Sequence, residues 1–79
     1  MLTDLESMPA GQSAVIVGFE GGYGVEVKLD ALGLRPGKVV RKLSSQLMAG
    51  PITILVDGRQ VGMGRGIARK IRVEATGGQ

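Results

Sequence analysis

Residues 29–40 read LDALGLRPGKVV, and this stretch decides the fold because it converts a helix into a strand within a few residues. Gly33 stands where helices commonly end in a left-handed residue, a conformation that glycine adopts without a steric penalty. Pro36 prevents the helix from restarting, and the dipeptide Pro36-Gly37 favours a tight turn. We therefore predict a sharp corner here, around which the segments on either side must pack.

The strand that follows this corner alternates between apolar and charged residues. Val39 and Leu43 point to one face, and Lys38 and Lys42 point to the other, which is typical of a half-buried strand. Arg41 shares the face of Val39 and is the one residue that does not suit a buried position. The pattern predicts that the face of Val39 and Leu43 packs on the core.

Length and composition limit the classes of protein to which this chain can belong. The chain has 79 residues, so we expect one domain over residues 1–75 and a frayed tail over 76–79. The absence of cysteine and histidine excludes a disulfide and the usual zinc site. The net charge of +3 is typical of a solvated surface. We expect a cytoplasmic protein without membrane insertion, because the longest uncharged run, residues 43–56, is shorter than the ~20 residues that span a bilayer.

Glycines and apolar runs together indicate a small, highly curved sheet. The 14 glycines separate short β-branched runs. Residues 13–19, SAVIVGF, predict a strand that bends at Gly18, and residues 51–57, PITILVD, predict the strongest strand, with a hairpin at Asp57-Gly58. The other expected elements are a single helical turn within 2–8, a helix over 25–32, a long connection over 44–50, a return strand over 60–63, one helical turn over 65–69 and a closing strand over 70–73.

These segments amount to a mainly β chain with about five short strands, one short helix and one or two single helical turns. So many turns around so small a core favour a closed or nearly closed barrel, which also removes exposed strand edges.

No pattern of residues supports catalysis or a bound cofactor. Histidine and cysteine are absent, and no serine has a plausible general base nearby, so we predict that the chain is not an enzyme. Glu20, Glu26 and Asp30 are the candidate metal ligands, but carboxylates bind hard cations weakly unless several converge, and we predict no metal site. The glycines of residues 62–66 lack the lysine and serine of a phosphate-binding loop.

Three segments of the chain together resemble the FeoA family of bacterial ferrous iron uptake. They are residues 29–37, residues 50–58 (GPITILVDG) and residues 61–73 (VGMGRGIARKIRV). The resemblance extends over roughly residues 2–74 and is carried by the order and spacing of these segments. It implies an SH3-like barrel, similar to the last domain of repressors of the diphtheria toxin repressor type. It also implies a cytoplasmic accessory protein that binds and modulates an inner-membrane ferrous iron transporter with a GTP-binding domain.

Partner-binding residues are expected among the basic and aromatic side chains. Relatives often carry two consecutive basic residues before the leucine that matches Leu29, and here only Lys28 can take that role. Tyr23 lies in a glycine-rich segment and is either a semi-exposed partner contact or a cover over the core. The predicted partner-binding residues are Tyr23, Lys28, Arg35, Arg41, Arg65 and Arg69.

Two other functions remain as alternatives. The basic groups favour a nucleic-acid-binding barrel to some degree, but Phe19 and Tyr23 are the only aromatic residues and provide a poor stacking platform, so we do not expect nucleic acid as the partner. The third hypothesis is a weak homo-oligomer in which Leu47-Met48 packs against a neighbouring copy.

Overall fold

The computed structural model describes residues 1–45 and 50–76. Within these residues the chain forms six strands and two helices. In chain order they are β1 (Leu2–Asp4), β2 (Ser13–Phe19), α1 (Tyr23–Ala31), β3 (Val39–Ser45), β4 (Ile52–Val56), β5 (Arg59–Met63), α2 (Arg65–Ala68) and β6 (Ile71–Ala75).

All six strands belong to one antiparallel sheet with the order β1-β6-β2-β3-β4-β5. The pairing of β2 with β6 shifts register between Ile16 and Gly18, which confirms the bend predicted at that glycine. The chain measures 29 × 27 × 23 Å, so the sheet curls around its contents instead of lying flat.

A single apolar core lies inside the curved sheet. Ile52, Ile54 and Val56 of β4 are all at most 1% exposed, which confirms the predicted alternation of that strand. Asp57 and Gly58 have φ angles of 51° and 75°, and this turn returns the chain into β5 as expected. The other core residues are Leu5, Met8, Ala14, Ile16, Leu29, Leu34, Val40, Val61, Met63, Ala68, Ile71 and Val73.

The corner after α1 has the geometry that its sequence predicts. Gly33 is left-handed, with φ 84°. Its backbone N–H donates to the carbonyl of Asp30, and the N–H of Leu34 donates to the carbonyl of Leu29. This pair of bonds is the Schellman motif, which satisfies the last carbonyls of a helix. It turns the chain so that Leu34 becomes fully buried in the core.

The two faces of β3 are the reverse of the prediction. Val40 and Lys42 are buried, whereas Val39 is 56% exposed and Leu43 is 37% exposed. The prediction was wrong because Val39-Val40 places an apolar residue on both faces, so alternation alone does not fix which face is inside. Register decides it, since Val40 pairs with the buried Ala14 of β2 and the two must share a face.

Lys42 lies on the inner face because the N-terminal turn supplies acceptors for its ammonium group. It pairs in register with the buried Ile54 of β4 and is only 2% exposed. Burying a charge is costly unless it is hydrogen-bonded, and two backbone carbonyls of the turn accept from Lys42. The exposed position of Arg41 on the outer face follows from the same register.

The N-terminal segment is part strand and part turn. Leu2–Asp4 pairs with β6 as a sixth strand that sequence patterns did not indicate, since its partner lies at the opposite end of the chain. The single turn predicted within residues 2–8 follows it: the N–H of Met8 donates to the carbonyl of Asp4. The carboxylate of Asp4 accepts from the backbone N–H of Ser7, as an N-cap does.

Smaller differences occur at other element ends. Helix α1 begins at Tyr23, two residues before the expected start, and ends at Ala31, one residue before the expected end. Strand β3 continues to Ser45, so the connection expected over 44–50 is shorter, and its residues 46–49, with Leu47-Met48, lie outside the described ones. Thr76, the first residue of the expected tail, donates two hydrogen bonds to the carbonyl of Ser13. Among the described residues no helix is long and apolar enough to cross a membrane.

Candidate functional site

A cleft of about 300 Å³ opens beside helix α1, and we call it the α1 cleft. One wall is the exposed side of α1, and the other is formed by the end of β2 and the corner that follows the helix. The lining residues are Phe19, Tyr23, Glu26, Val27, Asp30, Leu34, Arg35 and Pro36.

The helical wall of the α1 cleft is one stripe of side chains. Tyr23, Glu26, Val27 and Asp30 are spaced as i, i+3, i+4 and i+7, which places them on the same side of a helix. Tyr23 is 81% exposed and Val27 is 50% exposed, so neither is needed to complete the core. The helix contacts the core through a different face, on which Leu29 is fully buried.

The opposite wall is positioned by the helix-ending corner. The turn at Gly33 directs Leu34 into the core and leaves Arg35 and Pro36 at the edge of the cleft. Arg35 Nε lies 3.0 Å from Asp30 Oδ1, so this ion pair joins the two walls. Glu26, by contrast, forms no ion pair or hydrogen bond with another described side chain.

A second group of charged residues surrounds Glu6, and we call Glu6, Lys42, Arg65 and Arg69 the Glu6 cluster. Lys42 Nζ donates to the carbonyl of Glu6 at 2.9 Å and to the carbonyl of Met8 at 2.6 Å. Since Lys42 lies on the inner face of β3, these two bonds fasten the N-terminal turn to the middle of the sheet.

The carboxylate of Glu6 brings two predicted partner-binding residues together. Its oxygens lie 3.5 Å from Arg65 Nη1 and 3.7 Å from Arg69 Nε. The two arginines are four residues apart around α2, which is the spacing that places side chains next to each other. The Arg65 side chain is 22% exposed and that of Arg69 is 62% exposed, so Arg69 extends further into solvent.

Burial lowers the pKa of Lys42 below its ordinary value of 10.5. Negative charges on Glu6 and Asp4 act in the opposite direction, and the positive charge of Arg65 adds to the lowering. Desolvation is the largest of these causes because the ammonium lies within the core side of the sheet. Burying the ammonium group of Lys42 therefore costs free energy, and its hydrogen bonds to backbone carbonyls are the main compensation.

The six predicted partner-binding residues lie in two pairs and two separate positions. Tyr23 and Arg35 line the α1 cleft, and Arg65 and Arg69 belong to the Glu6 cluster. Lys28 lies on the exposed side of α1 away from the cleft lining, and Arg41 lies on the outer face of β3. Sequence reasoning missed Glu6, Lys42 and Val27. Of these, only Val27 had a recognisable signal, which is its helical spacing from Tyr23.

The carboxylates considered as metal ligands do not converge. Glu20 accepts a hydrogen bond from Arg72 at 2.6 Å, and Asp30 pairs with Arg35. Within residues 1–45 and 50–76, no group of three acidic side chains could hold a metal ion. Two of the three carboxylates, those of Glu20 and Asp30, are thus already paired with an arginine.

Comparison with known proteins adds to this geometry. A sequence profile described as the FeoA domain matches residues 3–75. The chain is 30% identical over 64 residues to a candidate Fe(2+) transport protein A of Methanocaldococcus jannaschii, an alignment that covers 81% of this chain and 76% of that protein.

Solved structures share the fold. A crystal structure of iron uptake regulatory protein FeoA superposes with a TM-score of 0.88 and 33% identity, covering 96% of this chain and 99% of the other. A manganese-dependent transcriptional repressor superposes with a TM-score of 0.86 and 18% identity, covering 95% of this chain and 42% of the repressor. The second likeness concerns the fold alone. The expected mainly β, SH3-like architecture is confirmed by these likenesses.

Proposed function

Because the chain belongs to the FeoA family, we propose that it is a small accessory protein of ferrous iron uptake, which binds and modulates a membrane transporter with a GTP-binding domain. This role places the chain in the cytoplasm, on the side of the membrane where GTP is available. It requires a binding surface and no chemistry of its own, in agreement with the residues present.

The observation that supports this proposal is the pair of arginines around Glu6, of which Arg69 is exposed and Arg65 is partly buried. Arg65 and Arg69 share the carboxylate of Glu6, and Lys42 adds a third cation beneath them. The Arg69 side chain, which is 62% exposed, therefore presents a cation at this point of the surface. A region of this kind attracts an acidic face of a partner and raises the rate of encounter.

Nucleic acid fits the described surface less well than a protein partner does. Phe19 and Tyr23 both line the α1 cleft, where Glu26 and Asp30 stand beside them. Carboxylates at that position repel the phosphates that would accompany any base stacked on these rings. The shared fold with a repressor does not change this, because a fold can serve unrelated functions.

The proposal is tested by titrating the isotope-labelled chain with the soluble GTP-binding domain of the transporter and following amide NMR signals. We expect localised shifts around Arg65 and Arg69 and an affinity that falls as salt is added. Arg69→Gln should weaken binding about two- to fivefold, the usual range for an exposed charge at the rim of an interface.

Lys38→Gln is the matched control for the loss of one positive charge. Lys38 precedes β3 and lies about 13 Å along the strand from Lys42, given the rise of a strand per residue. If both variants bind equally well, the Glu6 cluster is not the binding surface. If no residue of the chain shifts at saturating concentrations of the domain, the proposed partner is wrong.

A further inference from the structure

Helix α1 carries apolar side chains on two faces, and only one of these faces packs against the core of the chain. Leu29 is fully buried and Val25 packs against the core. Tyr23 and Val27 lie on the other apolar face, one turn apart, and remain 81% and 50% exposed. A surface helix of a chain that functions alone normally places polar residues there, so this face is suited to an external contact.

We propose that the α1 cleft binds a short segment of a partner protein in which a bulky apolar side chain lies next to a lysine or arginine. The apolar side chain enters between Tyr23 and Val27, and the basic residue lies against Glu26. The inference rests on the proposed function only for the identity of the protein that supplies the segment.

The size and lining of the cleft favour an apolar side chain as the part that enters. Its volume of about 300 Å³ is at the lower end of the ~300–1,000 Å³ typical of ligand pockets. That space suits one large side chain or two small ones. Phe19 and Pro36 line the cleft together with Tyr23 and Val27, and the buried Leu34 lies beneath them, so the entering side chain would meet apolar groups on both walls.

The charges at the rim favour a cation next to that side chain. Glu26 and Asp30 lie one turn apart on the cleft side of α1. Arg35 neutralises Asp30 through a contact of 3.0 Å, which leaves Glu26 as the carboxylate without an ion pair among the described residues. Opposite charges across an interface fix register and suppress wrong partners, so a basic residue beside the apolar one is preferred to an acidic one.

A segment of chain fits the cleft better than an isolated small molecule. The wall formed by Tyr23 is largely open to solvent, so a small apolar molecule would stay partly wet when bound. A peptide covers the opening with its own backbone and places a second side chain on the rim at Glu26. Peptide recognition through a few apolar contacts on a helix face and a charged neighbour is a common mode.

The test is an amide NMR titration of the full labelled chain with three matched, capped eight-residue peptides. The first carries leucine beside lysine in a glycine-serine background, the second replaces lysine by glutamate, and the third replaces leucine by glycine. We expect the first peptide to shift the amide signals of residues 19, 23–30, 34 and 35. Loss of the leucine should weaken binding about tenfold to a hundredfold, and reversal of the charge about tenfold.

Variants of the chain assign the two parts of the contact. Val27→Ser should weaken the first peptide about tenfold, since it removes an apolar wall residue that is half exposed in the free chain. Glu26→Gln should weaken it about two- to fivefold and remove its preference over the glutamate peptide. Lys70→Gln, which removes an exposed cation outside the cleft lining, should change neither. Unaltered melting temperatures confirm that the variants are folded.

Three outcomes would overturn the inference. The first is equal affinity for the lysine and glutamate peptides. The second is an absence of shifts in the cleft with all three peptides. The third is concentration-dependent shifts of the same residues without peptide, which would assign the cleft to a second copy of the chain.

The outcome of this test can be separated from that of the proposed function. If the transporter domain binds at Arg65 and Arg69 but no peptide enters the cleft, only the inference about the cleft fails. If peptides bind and the domain does not, the proposed partner fails and the cleft stands.

Discussion

Replacing Lys42 by methionine tests whether a buried cation holds the N-terminal turn on the sheet. Methionine has a similar length and fills most of the same space, so the change removes the charge and the donors with little loss of packing. The carbonyls of Glu6 and Met8, at 2.9 and 2.6 Å from Nζ, lose their donor. The carboxylate of Glu6 also loses the attraction of a nearby positive charge.

The expected loss of stability follows from which of the two carbonyls can be rehydrated. Glu6 is only half-buried, so water can replace Lys42 at its carbonyl. Met8 is 1% exposed and its bond with Lys42 is buried, so its carbonyl stays without a donor at a cost of about 1–3 kcal/mol. The lost bond at the Glu6 carbonyl and the lost attraction to the Glu6 carboxylate add to this cost, whereas the desolvation of the ammonium, which is no longer incurred, offsets an amount of similar size. We expect the free energy of unfolding to fall by about 1–3 kcal/mol near neutral pH.

The difference between the wild type and Lys42→Met should also depend on pH. Since the folded chain lowers the pKa of Lys42 below 10.5, the unfolded chain binds more protons at alkaline pH than the folded one does. Stability of the wild type therefore rises, relative to the variant, as pH increases through the lowered pKa towards 10.5. The neutral amine still has two hydrogens for the two carbonyls, so the bonds persist.

The assay is urea unfolding followed by far-ultraviolet circular dichroism, because the only tyrosine is 81% exposed and the chain has no tryptophan. With a slope of about 1 kcal/mol/M for so small a chain, the midpoint should fall by about 1–3 M. Lys28→Met, on the exposed side of α1, is the control and should stay within about 0.5 kcal/mol of the wild type. Equal or greater stability of Lys42→Met would refute the reasoning, since desolvation would then outweigh both bonds.

Two further substitutions test local parts of the structure. Gly33→Ala should destabilise the chain by about 1–2 kcal/mol in urea unfolding, because an L-residue is strained at φ 84° and the added Cβ would lie 2.6 Å from Nη2 of Arg59. Gly24→Ala, in the first turn of α1 with open space around it, should instead stabilise the chain by up to about 0.5 kcal/mol, and equal effects of the two substitutions would contradict this account. Asp57→Asn keeps a residue that tolerates the left-handed turn and an oxygen that can accept from Lys38. It removes the negative charge that pairs with Lys38, whose hydrogen bond lowers the pKa of Asp57. Above the ordinary carboxyl pKa of 3.8, the variant should be less stable than the wild type by the full amount, and this difference should vanish as acid protonates the wild-type carboxylate. A difference in stability that persists in strong acid would mean that the turn, and not the charge of Asp57, is responsible.

The candidate surfaces were only partly accessible from the sequence. Tyr23 was predicted to be either a partner contact or a cover over the core, because a large aromatic residue stands in a glycine-rich segment. The structure leaves it 81% exposed, and the partner contact itself stays a prediction. The cleft beside it was not predicted, because one of its walls exists only once the corner after α1 brings Leu34 and Pro36 opposite the helix. The role of Glu6 was missed for the same reason, since Arg65 and Arg69 lie about 60 residues further along the chain.

Local backbone chemistry determined several elements from the sequence by itself. Gly33 ends α1 because only a residue without Cβ enters the left-handed region at no cost, and both bonds of the motif involve residues within five positions. The hairpin at Asp57-Gly58 follows in the same way, and so does the phase of β4, because one face holds Ile52, Ile54 and Val56 whereas the other includes the polar Thr53.

The tertiary structure alone decided the orientation of β3 and the fate of Lys42. Val39-Val40 offers an apolar residue to either face, so the strand has two phases of similar local merit. Pairing of Val40 with Ala14 selects one phase, and that choice forces Lys42 inward. The cost of burying its ammonium is offset by carbonyls of Glu6 and Met8, which approach it only after the N-terminal turn folds over the sheet. Acceptors that distant in sequence leave no periodic signal, which is why this part of the fold could not be predicted.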